Sequence, residues 1–265
     1  MMLTAAIAAY AQAPDRSRAP APGPVPALTP PAVQKRSLSN GLPVWFVEMH
    51  KVPVVNVTLA VKSGAAADPR GKFGLASLTA DMLDEGAGSR GALEIADAVD
   101  YLGASLTTSS AIDSSSIDLH VPAARLADAL PIMADVALRP TFPEKELQRV
   151  REELLTSLLQ AEDDPASLVQ FAFPRIVYGA EHRYGTLPFG TAASIKGFGV
   201  EDLRQFHATH YVPAQSLLIV TGDVQPDAVM PLLESAFGPW KGAAAAAAPM
   251  PAAPQLTARK VYIID

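Results

Sequence analysis

The side chains in this 265-residue sequence that could bind a metal ion are its five histidines and its 27 aspartates and glutamates. The chain has no cysteine, which excludes disulfide bonds, thiolate zinc sites and cysteine nucleophiles. His207 and His210 share one face of a predicted helix and could form a metal-binding pair. No further ligand stands at a suitable spacing, so we interpret them as exposed or hydrogen-bonded histidines. The remaining histidines are isolated from one another: His50, His120 and His182.

Acidic residues are concentrated in two places. Asp81, Asp84 and Glu85 follow one another closely and could contact a cation, but we interpret them as a solvated helix end, since isolated surface acids are the norm. The predicted helix 144–161 mixes acidic and basic residues, which indicates ion pairs along its surface. The residues concerned are Glu146, Glu152 and Glu153 with Lys145, Arg149 and Arg151.

The elements that must position these residues are strands in consecutive pairs with helices between them. Asn40-Gly41 is a strong hairpin signal, and the stretch 115–121 alternates apolar and polar residues as a half-buried strand does. This order predicts an α+β fold, with a mostly antiparallel sheet and helices packed mainly on one face. We expect strands at 44–47, 52–61, 105–110, 115–121 and 216–221, and helices at 74–84, 92–102, 123–138, 144–161, 165–177, 200–209 and 226–236.

Composition divides the chain into a globular segment, residues 34–240, and segments that cannot build a core. Residues 1–13 resemble the apolar region and cleavage site of a secretory signal peptide, which predicts an exported protein. Residues 14–33 form a spacer rich in proline and alanine, and 241–257 form a second alanine/proline linker. The pattern of residues 258–265 is that of a strand, which we interpret as the first strand of a truncated second domain.

Charge and hydropathy exclude several classes of function. The formal net charge is −6 and no basic stripe is present, so we expect neither nucleic acid nor an anionic membrane surface as a partner. Hydrophobic residues make up 49% of the chain, which excludes an intrinsically disordered protein. No segment combines the length and the freedom from charge that a membrane-spanning helix needs.

The segment Gly74-Leu75-Ala76-Ser77-Leu78-Thr79-Ala80-Asp81-Met82-Leu83 resembles the signature helix of the insulinase/pitrilysin zinc peptidases, the inverzincins. In that family His-x-x-Glu-His follows a similar lead-in. The two histidines bind zinc and the glutamate polarises the zinc-bound water. Further segments match the family's landmarks in order, and the resemblance covers residues 34–240. They are Ser39–Leu42, Val61–Ala65, Phe142–Leu147, Glu162–Pro165, His182–Gly185, Phe206–His207, Tyr211–Pro213 and Thr221–Asp223.

The resemblance also implies that the metal motif is degenerate in this chain. Its register places Ser77 at the first histidine, Ala80 at the glutamate and Asp81 at the second histidine. The third ligand of the family, a downstream glutamate, falls on Ser157, and a slip of one helical turn would offer Glu153 instead. Serine is a poor zinc ligand and alanine cannot activate water. We therefore expect no catalytic residue and no bound zinc in this chain, although the family uses zinc.

For an N-terminal domain of a bacterial family member with a degenerate motif, the resemblance implies a supporting role. Family members are built from homologous domains that enclose a substrate chamber, and zinc-free halves complete it. This predicts a pseudoenzyme that forms a chamber wall for peptide substrates. Its partner would be a zinc-bearing homologous subunit or domain, as in a heterodimer, and its location the periplasm. Two alternatives remain: an active zinc metalloendopeptidase with atypical ligands, or a structural binding module without a peptidase partner.

Overall fold

A computed structural model of the protein describes residues 23, 27, 29–180, 182–244, 250, 252–255 and 258–262. The chain divides into two units, Met1–Pro31 and Ala32–Asp265. In the first unit the described residues are exposed and form no regular secondary structure. The second unit contains all of the helices and strands described below.

Six strands form one mixed sheet in the order β1-β2-β8-β3-β7-β6. All neighbouring strands are antiparallel except β2 and β8, which run parallel. The predicted, mostly antiparallel sheet is therefore confirmed, with one parallel pair that the sequence did not indicate. A separate two-stranded ribbon joins β4 to β5. The strands are β1 Gln34–Ser37, β2 Pro43–Glu48, β3 Val54–Val61, β4 Gly86–Ala87, β5 Arg90–Gly91, β6 Ser105–Ser110, β7 Ser115–Pro122 and β8 Ser216–Gly222.

Eight α-helices accompany this sheet in the described part of the chain. Seven of them lie within a few residues of the ranges that the sequence predicts. The sequence did not predict α6, which is only six residues long and begins at a Thr191 cap. The helices are α1 Leu75–Asp81, α2 Ala92–Tyr101, α3 Leu126–Leu138, α4 Glu144–Glu162, α5 Pro165–Tyr178, α6 Ala192–Gly197, α7 Val200–His210 and α8 Pro226–Phe237.

Strand alternation gives the sheet one buried and one open face. On the central strand β3, Val55, Val57, Leu59 and Val61 are fully buried, whereas Asn56 lies on the opposite, solvent-facing side. The buried face packs against helices, with α1 and α3 in contact with β7. Layers of this kind, with helices segregated to one face, define an α+β fold. The predicted fold class is confirmed.

The hairpin between β1 and β2 is held by its turn. Gly41 has a φ of 83°, which favours glycine, as the Asn-Gly signal requires. The Asn40 side-chain amide donates hydrogen bonds to the carbonyl oxygens of Phe237 (2.8 Å) and Trp240 (3.0 Å). These carbonyls lie at and just beyond the end of α8, where helical carbonyls lack intrahelical partners. The first hairpin is thus attached to the last helix.

The predicted boundaries at both ends of the chain remain predictions. The possible signal peptide, residues 1–13, lies outside the described residues. In the linker 241–257, the described residues 241–244, 250 and 252–255 form no helix or strand. Residues 258–262 also have no regular structure, and 263–265 lie outside the described part. Among the helices that are described, none has the length and apolar character to cross a membrane.

Candidate functional site

The helix α1, which carries three of the four degenerate positions, begins at a close approach between two segments. Gly74 precedes the helix with a φ of 96°, and a Cβ atom there would lie 2.5 Å from the carbonyl oxygen of Phe189. The carboxylate of Asp68 accepts hydrogen bonds from the backbone N–H groups of Gly74 (2.7 Å) and Ala76 (2.8 Å). Asp68 thereby satisfies the free donors at the start of the helix. Burial raises the pKa of Asp68 to about 7, against the opposing effect of these hydrogen bonds.

The side chains of Ser77 and Ala80 contact other parts of the protein. The Ser77 hydroxyl donates a hydrogen bond to the carbonyl oxygen of Pro188 at 2.8 Å. Ala80 is fully buried and belongs to the packed side of α1. Neither residue lines the cavity that the remaining two degenerate positions share.

Asp81 and Ser157 face the same cavity, together with Glu153. This cavity of about 470 Å³ lies between the end of α1, the edge strand β6 and the middle of α4. Asp84 and Glu85 also line it. The structure therefore brings the last position of the motif helix near both residues that the sequence offered for the third ligand.

One arginine, Arg149, pairs with several of the carboxylates near this cavity. The Arg149 guanidinium contacts the carboxylates of Glu85, Glu146 (2.8 Å) and Glu153 (2.9 Å). These contacts raise the pKa of Arg149 and hold it charged. Among the described residues no arginine or lysine pairs with Asp81, and burial, with smaller contributions from Asp84 and Glu85, raises the pKa of Asp81 to about 6. Of the three acids that the sequence suggested as a cation site, Glu85 pairs with Arg149, whereas burial raises the pKa of both Asp81 and Asp84.

The four degenerate positions do not fit a zinc ion. The Ser157 hydroxyl donates to the carbonyl oxygen of Glu153 one turn earlier, at 3.0 Å. Ser77 is engaged with Pro188, and Ala80 has no donor atom. A protein zinc site needs three or four nitrogen, sulfur or carboxylate ligands. Within the described residues, no three histidine, cysteine, aspartate or glutamate side chains converge as metal ligands.

The two histidines of α7 make separate contacts. Nε2 of His207 lies 2.9 Å from the carbonyl oxygen of Ala137, so this nitrogen carries the proton that it donates. The His207 ring also stacks on Tyr211, with centroids 4.8 Å apart. His210 packs instead against Phe206, at 4.4 Å. Burial lowers the pKa of both histidines. The hydrogen bond of His207 agrees with our interpretation of the two residues as exposed or hydrogen-bonded histidines.

Three contributors to this region escaped the sequence analysis. Asp68 contacts the start of α1 from the loop just before it, Pro188 contacts α1 from a distant segment, and no motif marks either residue. Arg149 was expected to pair along its own helix, which it does with Glu146 and Glu153. Its additional pair with Glu85 joins α4 to the segment after α1. A charge pattern within one helix cannot reveal a partner on another element.

The architecture and the motif helix define a domain of the insulinase class of peptidases. The family model described as Insulinase (Peptidase family M16) matches residues 44–186. A second model, Peptidase M16 inactive domain, matches residues 197–265. The chain therefore belongs to the M16 peptidase family. Strand β8 comes from the second matched range, yet it lies between β2 and β3 of the first, so both ranges contribute to one sheet.

Curated relatives include proteins named as peptidases and one named as a non-peptidase. The "Non-peptidase homolog YmxG" of Helicobacter pylori is 26% identical over 200 residues, which are 74% of this chain and 45% of that protein. An uncharacterized zinc protease of Mycobacterium tuberculosis is 26% identical over 221 residues, 83% of this chain and 49% of the relative. The chain thus spans about half the length of these relatives.

Solved structures share the fold. A peptidase M16 inactive domain from Pseudomonas fluorescens superposes with a TM-score of 0.78 and 28% identity, over 83% of this chain and 54% of that one. The periplasmic protease PqqL of Escherichia coli superposes with a TM-score of 0.76, over 85% of this chain and 26% of its own. At 19% identity, PqqL supports the fold alone.

Proposed function

We propose that this chain is a non-catalytic M16 domain that forms part of a peptide chamber and pairs with a zinc-bearing homologous domain. The proposal rests on what the side chains at the degenerate positions contact. In the register of the family motif, Ser77 and Ser157 stand at ligand positions, and both hydroxyls donate to backbone carbonyls. Ala80, at the position of the general base, has no group that could take a proton from water.

The remaining acids do not replace the missing ligands. A carboxylate binds zinc in its ionised form, and burial opposes ionisation of Asp81. Glu153 and Glu85 already neutralise Arg149. An active peptidase with atypical ligands would have to break this network to hold a metal. The non-catalytic alternative requires no such rearrangement.

The open face of the sheet supports the role of a chamber wall. The helices leave this face without a covering layer in the described chain. It carries the indole of Trp45, which is 36% exposed and has the Lys35 ammonium 4.7 Å above its ring. Further across the sheet, the Thr58 hydroxyl donates to the Asp118 carboxylate at 2.6 Å. A surface that mixes apolar and polar side chains could contact an extended peptide or an opposing domain. Interfaces of this kind combine apolar contacts with hydrated polar groups.

The relatives support a partner and an exported location. The matched relatives are about twice as long as the aligned region, which leaves room in them for a second domain of similar size. PqqL is described as a periplasmic protease, and the first residues of this chain resemble an export signal. We place the protein in the periplasm, as the zinc-free member of a two-part peptidase.

A reconstitution experiment tests this function. The purified full chain is mixed with a zinc-bearing M16 homologue encoded by the same organism, and complex formation is measured by light scattering after gel filtration. We expect a stable complex whose cleavage of an unstructured peptide is faster than that of the homologue alone. The chain alone should show no chelator-sensitive cleavage. Lack of a complex with every M16 homologue of that organism, or an unchanged cleavage rate, would contradict the proposal.

A further inference from the structure

A second cavity, distinct from the degenerate metal motif, lies against α5. It has a volume of about 320 Å³ and is bounded by α5, Phe73 and the segment 185–191, with one side open to solvent. This volume falls at the lower end of the range for small-molecule sites in proteins, roughly 300–1,000 Å³. The cavity is open to solvent on one side, so a ligand could enter it without a change of the fold.

The walls of this cavity are apolar. Leu168, Phe171 and Ala172 project from α5, and Phe73 and Leu187 close the opposite side. None of the fourteen residues of α5 is fully buried, although more than half of them are apolar. The apolar side chains that this helix turns inward therefore line the cavity instead of filling a core. An apolar ligand would remove their surface from water.

The rim of the cavity is held in a fixed shape by close backbone contact. The helix α5 ends at Gly179, which has a φ of 83°. A Cβ atom on Gly185 would lie 2.0 Å from the carbonyl oxygen of Gly179. Only glycine permits this approach. Phe171 also contacts Phe189 edge to face, with ring centroids 5.1 Å apart, which joins the helix to the loop at a second point.

The charge at the cavity is positive and unpaired. The Arg175 side chain lines the cavity and makes no hydrogen bond, ion pair or ring contact in the described part of the chain. The neighbouring Arg183 is different: it donates to the Ala66 carbonyl and lies over the Phe73 ring at 5.1 Å. No carboxylate is found among the described residues that line the cavity. A free guanidinium beside an apolar wall is suited to a carboxylate, which it can bind through two parallel hydrogen bonds.

We propose that this cavity binds an apolar group that carries a terminal carboxylate. The apolar part packs against Leu168 and Phe171, and the carboxylate pairs with Arg175. Two sources have this chemistry, the C-terminal residue of a peptide with a large apolar side chain and a medium-chain fatty acid. The inference concerns a cavity within this chain, so it holds whether or not the chain pairs with a peptidase.

Ligand-observed NMR titrations of the full chain test the proposal. The probes are N-acetylphenylalanine, its amide, octanoate and octanamide. We expect saturable binding of at least one acid, with the corresponding amide about tenfold weaker or more, because the charge-assisted pair is lost. Tighter binding of N-acetylphenylalanine than of octanoate assigns the peptide source, and the reverse order assigns the fatty acid.

Variants localise the binding. Arg175→Gln should weaken the acid about tenfold and leave the amide unchanged. Ala172→Phe should fill the cavity and abolish binding of both. Matched controls are Arg125→Gln, an arginine elsewhere on the surface, and Ala166→Phe on the exposed first turn of α5, both of which should bind as the wild type does. The proposal is overturned if neither acid binds saturably, if acid and amide bind equally, or if Arg175→Gln leaves the affinity for the acid unchanged.

Discussion

The hydroxyl of Ser77 donates a hydrogen bond to the carbonyl oxygen of Pro188, across 2.8 Å and 111 residues of sequence. The two segments are also close through their glycines. A Cβ atom on Gly190 would lie 2.2 Å from the carbonyl oxygen of Phe73, just before α1. In the proposed register Ser77 stands where the first zinc-binding histidine of the family would be. A position that binds metal in the family thus serves here to attach a loop to the motif helix.

Removal of this hydroxyl should destabilise the protein modestly. Ser77→Ala leaves the Pro188 carbonyl without this donor, and we expect the free energy of unfolding to fall by about 1 kcal/mol. Urea denaturation followed by circular dichroism measures the change. The matched control is Ser157→Ala, whose hydroxyl bonds to a carbonyl of its own exposed helix turn. That change should cost close to nothing. Equal effects of the two substitutions would show that the contact between Ser77 and Pro188 contributes nothing.

The partly buried carboxyl of Asp81 should make stability depend on pH. Its pKa is raised from 3.8 to about 6 because burial penalises the charged form. The folded state therefore binds more protons than the unfolded state between about pH 4 and pH 6, and stability falls as pH rises through this window. Asp81→Asn removes the penalty. We expect this variant to be about 1–2 kcal/mol more stable than the wild type at pH 7.5, and nearly equal to it at pH 4.

The exposed Asp100→Asn serves as the control for Asp81→Asn, because this residue lies on the solvent side of α2 and should show no such difference. Denaturation curves of both variants at the two pH values provide the comparison. A stability difference for Asp81→Asn that is the same at pH 4 and pH 7.5 would rule out a raised pKa as its cause.

The hydrogen bonds that attach the first hairpin to the last helix should contribute more to the free energy of unfolding than a surface contact does. Asn40→Ala removes two hydrogen bonds to carbonyls at the end of α8. We expect a loss of about 1–2 kcal/mol, as for other substitutions that leave helix ends uncapped. Asn56→Ala is the control, since that amide pairs with His120 on the exposed sheet face. Hydrogen exchange at the C-terminal turn of α8 should accelerate in the first variant only.

His50 should titrate above its ordinary value. Its imidazole contacts the Asp223 carboxylate at 2.8 Å and the Glu48 carboxylate at 3.3 Å. The hydrogen bond with Asp223 is the main cause that raises the pKa of His50 above 6.5. The stabilisation from this contact is complete below pH 6.5 and is lost as the pH rises through the folded pKa. An NMR titration should give a midpoint above 6.5, and the Asp223→Asn variant should lower it. A midpoint at or below 6.5 would contradict this account.

Local patterns predicted most elements but not their assembly. The Asn40-Gly41 hairpin and the alternation of β7 follow from nearest neighbours in the sequence, and both are confirmed. The insertion of β8 between β2 and β3 depends on pairing such as Val57 with Val220, which no local signal encodes.

The sequence likewise predicted only part of the candidate site. The resemblance to the family placed the third-ligand position at Ser157 or Glu153, and both residues line one cavity with Asp81. The contact of Pro188 with Ser77 joins segments 111 residues apart, and that of Asp68 with the start of α1 depends on the path of the loop between them. Side-chain partners of this kind follow from the tertiary structure alone, so the sequence could not supply them.

Rebuilding the ligands tests the proposed register. The fourfold variant Ser77→His, Ala80→Glu, Asp81→His and Ser157→Glu places the ligands of the family on α1 and α4. We expect measurably tighter zinc binding, because positions 77 and 81 share a helical face. Peptide cleavage should stay near background, since the surroundings that orient the ligands and clamp the substrate are absent. If zinc affinity does not rise, the register is wrong, first of all at Ser157.

The central claim is that the wild-type chain does not form a zinc peptidase site by itself. The most direct test is the zinc content of the purified full chain after dialysis against buffer with micromolar zinc, measured by mass spectrometry alongside a peptide-cleavage assay with and without chelator. We predict far less than one zinc per chain and no chelator-sensitive cleavage. One tightly bound zinc per chain, with cleavage that a chelator abolishes, would contradict the account.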